Sequence, residues 1–233
     1  FVNDPKYKKY FDTKHIKQMD IACPKIKIDI TESLKSKPPK NLSELSNLHK
    51  KYKTLKSENL HSHFKENKHD WYAYHKLAEE NEKSFPDEEV PYHKIIKYLE
   101  NIPGKRKKAI VDLGCGKARV SEYFKNNKRF EFHNFDHVSC NESVITRDIR
   151  DTELDEHSVD IAILCLAMWG SNNKEYLKEA YRILDIGGIL LIVEPYRRWN
   201  IQTDNIIENK LKTLIEENNF TIVKNDEKKF VFL

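Results

Sequence analysis

The residues with chemical potential cluster between positions 109 and 170. Asp112-Leu113-Gly114-Cys115-Gly116 closes the branched apolar run AIVDL (109–113) and leads into GKARVSEYFK, which has helical spacing. Glycines at such a strand-to-helix turn let a ligand approach the backbone with no Cβ in the way. Position 119 is arginine, so the turn is not G-x-G-x-x-G, and no Lys-Ser/Thr pair follows it. Neither a dinucleotide pyrophosphate site nor a phosphate-cradling loop is expected. Asp136 ends the strand candidate FEFHNFD, 20 residues past Gly116. A carboxylate at that place can accept both hydroxyls of a ribose. Asp148 ends SVITRD, where it can accept from an exocyclic amine while Ile149 packs on a purine face. Cys165 through Gly170 closes VDIAILCLAM, and Gly170 marks where the chain leaves the sheet. Singly, each group also reads as an ordinary turn or loop cap. Together, in order and all at strand carboxyl ends, they fit an adenosine-containing ligand that lacks a pyrophosphate.

The elements that must carry these groups follow from apolar periodicity. AIVDL (109–113), FEFHNFD (130–136), SVITRD (143–148), VDIAILCLAM (159–168) and GGILLIVE (187–194) are strand candidates, and the fourth is apolar enough to be covered on both faces. Helices are expected after the glycine turn, over 173–184 and over 203–217 with Thr203 as cap. FTIVKN and KKFVFL (220–233) read as a closing hairpin around Asp226. This alternation predicts an α/β fold with a doubly wound, mostly parallel seven-stranded sheet and an antiparallel edge pair. Upstream, Ile26, Ile28 and Ile30 alternate as in a short strand, 41–57 has helical spacing, and another helix is expected near 92–101. Between them lies the aromatic and histidine-rich stretch HSHFKENKHDWYAYH (61–75). All six glycines fall between 104 and 188, which locates the active half of the chain.

Charge is unevenly spread. Residues 1–108 hold 24 basic and 16 acidic residues, a balance of +8, while 109–233 hold 17 and 21, a balance of −4. A basic arm beside an acidic body suggests an anionic partner, with RNA first, although lysine-rich segments are also often merely solvated. No window of 18 apolar residues exists, so no membrane helix is expected. The cysteines at 23, 115, 140 and 165 form no CxxC pair, which points to a reducing, intracellular setting and no zinc site. His61, His63, His69 and His75 lack a second ligand cluster, so no metal is expected. The chain begins at Phe1 with no signal-peptide pattern, and a fragment of a longer protein is expected.

VDLGCG, the strand-ending Asp136, RDI, SVDIAI and YRILDIGG resemble a class I S-adenosylmethionine-dependent methyltransferase with its Rossmann-like fold. More narrowly, CLAMWGSNNKEYLKEAYRIL with GGILLIVEPYRRW, and HDWYAYH ahead of the sheet, resemble the nucleolar ribosomal RNA-processing (nucleomethylin-like) methyltransferases. The resemblance covers about residues 64–233. It implies a methyltransferase domain over 61–233 with a helical lid at 61–103, behind a basic extension, 1–60, of unknown role. It implies S-adenosylmethionine as cofactor and S-adenosylhomocysteine as product. His75, Gly114, Asp136, Asp148, Ile149 and Cys165 would contact the cofactor, with Gly116 beside it. It also implies methylation of ring nitrogen 1 of an adenine in large-subunit ribosomal RNA, in the nucleolus of the nucleus. Lys117, Ile186 and Trp169 depart from the family pattern, which has an acidic residue, a proline and a smaller apolar residue at those places.

An adenine ring nitrogen already carries a lone pair, so alignment matters more than a strong base. Glu194, ending the fifth strand, is the candidate for stabilising charge on the purine; a capping or salt-bridged role is the alternative. No N/D-P-P-Y motif is present, which disfavours attack by an exocyclic amine. Trp71, Tyr72 and Tyr74 either stack on RNA bases or pack as a lid. Arg197-Arg198 and the run Lys105–Lys108 are candidate phosphate contacts. Two other classes stay open: a methyltransferase of this fold acting on a protein or small molecule, and a non-catalytic cofactor-binding module.

Overall fold

The computed structural model describes residues 41–203, 206–227 and 230–233; the expected strand around Ile26–Ile30 lies outside them. Central strands form where branched apolar residues run without interruption, because both of their faces must be covered. β1 (Lys108–Leu113) is such a strand, and Ile110, Val111 and Leu113 are wholly buried. It pairs in parallel with β2 (Phe130–Asp136) on one side and β4 (Val159–Cys165) on the other. β3 (Val144–Thr146) extends the β2 side and β5 (Leu184–Pro195) the β4 side, both parallel. β9 (Phe230–Phe232) and then β8 (Asp226–Glu227) add antiparallel strands, completing the order β3-β2-β1-β4-β5-β9-β8. The expected seven-stranded, mostly parallel, doubly wound α/β sheet is therefore present. The strand order reverses between β1 and β4, so the crevice for a ligand opens at the carboxyl ends of these two strands.

The two sheet faces bury different helices, as the period-two alternation of strand side chains requires. Ile110, Ile161 and Ile163 pack with α4 (Pro91–Glu100) through Ile95, Ile96 and Leu99, and with Val120 of α5 (Arg119–Tyr123). Val111, Leu113 and Leu164 pack with α6 (Lys174–Ile183) and α8 (Lys210–Glu217) through Tyr176, Leu177, Leu211 and Ile215. A third apolar cluster joins Tyr52, Leu60, Phe64 and Trp71 to Ala118, Val138 and Val144. Its helices α1 (Asn41–Tyr52), α2 (Ser57–Glu66) and α3 (Lys68–Glu82) cap the carboxyl ends of β1, β2 and β3.

Three boundaries differ from expectation. The helix expected over 203–217 is shorter. Asn200–Thr203 (β6) pairs with Ile206–Asn209 (β7) as a separate two-stranded ribbon after the single turn α7 (Tyr196–Trp199). α8 then starts beyond Asn209, whose side chain accepts from the Lys212 amide at 3.1 Å, so Asn209 and not Thr203 is the cap. The closing hairpin is also shorter: Asp226 is opposite Phe232 in the ladder, so it lies in a strand and not in the turn. β5 begins before the double glycine, because Val159 pairs with Leu184 ahead of a register shift.

Candidate cofactor and acceptor site

The turn after β1 is shaped by its glycines. Gly114 and Gly116 both have positive φ, and a Cβ on Gly116 would lie 2.9 Å from Cε1 of His75 on α3. The Gly116 amide donates to Oδ2 of Asp136 at 2.8 Å. Oδ1 of Asp136 accepts from the Trp71 indole and from the His137 amide, each at 2.7 Å. A carboxylate has about four acceptor positions, so three are engaged. Trp71 is thus a lid residue of the predicted alternatives: it is fully buried, and its ring centroid is 3.9 Å from that of His75. Burial pushes the His75 pKa down to about 4 against the pull of Asp136 and Glu79, leaving a neutral imidazole at neutral pH.

Asp112 lies behind the turn, facing the same cavity. Burial, and secondarily the Asp136 charge, push its pKa up to about 7. Its Oδ1 is buried without a hydrogen-bond partner among the described residues. Cys165 also lines the cavity, and burial raises its thiol pKa, so it presents a neutral, apolar wall and no thiolate nucleophile.

Beyond β3, Ile149 lines the cavity, whereas its neighbour Asp148 is not one of the lining residues. Asp148 Oδ1 accepts from the Ser57 hydroxyl at 2.7 Å and Oδ2 from Arg150 Nε at 2.9 Å. Burial acts to raise its pKa, but the hydrogen bonds from Ser57 and Arg150 outweigh it and hold the group ionised. Ser57 had no signal in the sequence; it is 91 residues from its partner. It opens α2, and its amide donates to Asn172 Oδ1 at 2.8 Å, while the Ser171 amide donates to the Leu55 carbonyl at 2.8 Å. Residues 55–57 are thereby stitched to the loop after β4. His137, a cavity-lining residue also missed, meets His61 of α2 at 3.2 Å between Nδ1 atoms.

Glu194 does not line the cavity. It is fully buried; Oε1 accepts from the Met168 amide at 3.0 Å, and Oε2 accepts from the Trp199 indole at 3.0 Å and from Arg198 at 3.4 Å. Its carboxylate, expected either to stabilise charge on the purine or to serve as a cap or salt bridge, links the loop after β4 to α7. The run Lys105–Lys108, a candidate for phosphate contact, lies away from this cavity. It leads into the amino end of β1, opposite the cavity, with Arg106 and Lys108 paired to Asp160 and Lys107 to Glu131. Lys117, where the family pattern has an acidic residue, pairs with Glu79 at 2.5 Å, and Arg119 pairs with Glu79 and Glu82. Among the described residues, no group of three His, Cys, Asp or Glu side chains is placed to hold a metal, and no helix is long and apolar enough to cross a membrane.

Six residues expected from sequence are thus brought to the lining of one crevice, His75, Gly114, Gly116, Asp136, Ile149 and Cys165, while the seventh, Asp148, precedes Ile149 and is held by Ser57 and Arg150. The chain is similar to the 25S rRNA (adenine(645)-N(1))-methyltransferase of Schizosaccharomyces pombe, 34% identical over 166 residues that make up 69% of this chain and 52% of that protein. It is 35% identical over 153 residues to ribosomal RNA-processing protein 8 of Arabidopsis thaliana, covering 66% of this chain and 50% of that one. A crystal structure of a SAM dependent methyltransferase from Archaeoglobus fulgidus overlaps 66% of this chain and 77% of its own at 18% identity and a TM-score of 0.49. The chain spans about half the length of the curated relatives it matches. A family model described as "Hypothetical methyltransferase" matches residues 33–233, the whole sheet and every residue of the crevice, and the chain belongs to that methyltransferase family.

Proposed function

We propose that the chain is an S-adenosylmethionine-dependent methyltransferase that modifies ring nitrogen 1 of an adenine in large-subunit ribosomal RNA during ribosome biogenesis in the nucleolus. The observation that carries the cofactor is the crevice at the β1/β4 switch point: a glycine turn that admits no Cβ, with a buried, partnerless Asp112 oxygen behind it. That oxygen suits the ammonium group of an amino-acid moiety, since a buried acceptor left unpaired is costly. Asp136 would hold a ribose hydroxyl through its remaining acceptor position, Asp148 and Ile149 the adenine, and His75 the back of the turn. When bound, the cofactor supplies an electrophilic methyl on a sulfonium. The acceptor nitrogen brings its own lone pair, so the protein's tasks are to align it, exclude water and hold the two partners in line. No thiolate and no free carboxylate is needed for this, in keeping with the neutral Cys165 and the engaged Glu194. The names of the relatives in S. pombe and A. thaliana support ribosomal RNA as substrate. Residues of α1 and α2, ahead of or at the expected start at 61, also line the cavity, which supports counting both helices in the methyltransferase unit.

The test is reverse transcription of ribosomal RNA treated with labelled cofactor and the protein. A methyl on ring nitrogen 1 blocks base pairing, so one new stop at an adenine is expected, absent with Gly116→Ala. Label entering only protein, or entering nothing while the cofactor binds, would overturn the substrate reading.

A further inference from the structure

Tyr52, Tyr74 and Trp169 come from three separate segments: the end of α1, the middle of α3 and the loop after β4. All three line the cavity. The rings of Tyr74 and Trp169 lie 5.2 Å apart at 82°, and Tyr52 is 6.3 Å from Trp169 and 6.5 Å from Tyr74. His49, one turn before Tyr52, meets the Trp169 ring at 4.5 Å, and Arg198 lies 5.7 Å from the same ring. Trp169 follows β4, on one side of β1, whereas Asp136 and Ile149 follow β2 and β3 on the other; Tyr52 and Tyr74 come from the helices that cap the ends of β1, β2 and β3. Trp169 therefore enters the cavity from the side opposite the nucleoside contacts, which leaves its end of the wall for the second reactant.

The outer side of α1 explains what that reactant is. Lys50 and Lys51 in its last turn and Lys53 just beyond it are exposed, and among the described residues no carboxylate lies within ion-pair distance of them. Lys51 reaches over the Tyr52 ring at 5.5 Å, so cation and aromatic wall are continuous. Flat apolar faces bordered by unpaired cations match a single-stranded nucleic acid, in which an unstacked base packs on aromatic rings and its flanking phosphates meet lysines.

We propose that Tyr52, Tyr74 and Trp169 seat the acceptor base, and that Lys50, Lys51 and Lys53 hold the phosphates of the single RNA strand that carries it. This rests on the RNA reading above and makes α1 part of the substrate site. The Trp169 departure from the family pattern then enlarges the stacking face at the point where the base must turn toward the cofactor.

Binding of the full chain to an oligouridine with one central adenosine, followed by fluorescence anisotropy across a salt series, tests the lysines. Replacing all three by glutamine is expected to flatten the slope of log K against log salt by about 2, since each neutralised phosphate of a single strand contributes about 0.7. Trp169→Leu is expected to raise KM for ribosomal RNA about tenfold or more, with Trp169→Phe restoring most of it and calorimetric cofactor affinity unchanged in both. An unchanged salt slope overturns the lysine seat. An unchanged KM, or cofactor affinity that falls together with it, overturns the aromatic seat. If the unmodified protein transfers methyl to RNA and the variants behave like it, only this proposal fails; if it transfers none to RNA, the functional reading itself fails.

Discussion

Asp112 is the buried group with the most exposed thermodynamics. Its pKa of about 7 in the fold stands above its unfolded value of 3.8, raised by burial and then by Asp136. The folded protein therefore keeps a proton that the unfolded chain releases, and Asp112 lowers stability progressively as pH rises from about 4 to 7. Asp112→Asn removes that penalty and keeps the shape. Without cofactor, the variant is expected to melt several degrees above the parent at pH 8 and to lose that advantage progressively as pH falls to about 4; equal melting temperatures at pH 8 would show that the ionised group is not strained. The sequence marked Asp112 only as part of a turn motif. Its lack of a partner is a three-dimensional fact, set by strands on both sides that bury it and by Asp136, 24 positions later, facing it.

At the scale of elements, strands were legible where two-sided burial forces a continuous branched apolar run. β2 spans FEFHNFD as expected, and β1 and β4 are recovered to within a few residues. The ends of the chain were less legible. Ile206 and Ile207 serve a helical pattern and a ribbon equally well, and pairing with Asn200–Thr203 decides in favour of the ribbon. Pairing also moves Asp226 out of the turn. Glu194 belongs at this scale, since it ties β5 to the loop after β4 and to α7. Removing one partner of a buried ion pair costs about 3–5 kcal/mol; because Arg198 is partly exposed, Glu194→Gln is expected to cost nearer to 2. Differential melting should show this loss while turnover per folded molecule falls by less than threefold. A larger drop in turnover with an unchanged melting temperature would restore Glu194 as a catalytic candidate.

For the whole molecule, the helices of the amino-terminal half and the sheet of the carboxyl-terminal half are joined through neutral histidines. Burial, with Arg198 adding to it at His49, pushes the pKa values of His49 and His75 down to about 4. Their unfolded values are near 6.5, so the unfolded chain takes up protons that the folded one refuses as pH falls below neutrality. Each contributes a loss of about 2 kcal/mol at pH 5. Thermal melts are expected to show stability declining from about pH 6.5 toward 4, and His75→Gln should make that decline shallower; an identical slope in the variant would remove His75 from the account. The sequence by itself determined the order and type of the sheet strands, the glycine turn and the acidic residues at strand ends, because periodicity, chain reversal and strand termination are written in neighbouring residues. Only the tertiary structure decided that Ser57 holds Asp148, that Trp71 covers Asp136, that Glu194 is buried outside the cavity lining, and that α1 reaches the cavity. Those contacts join residues tens of positions apart, and packing between distant segments leaves no local periodic trace in either of them.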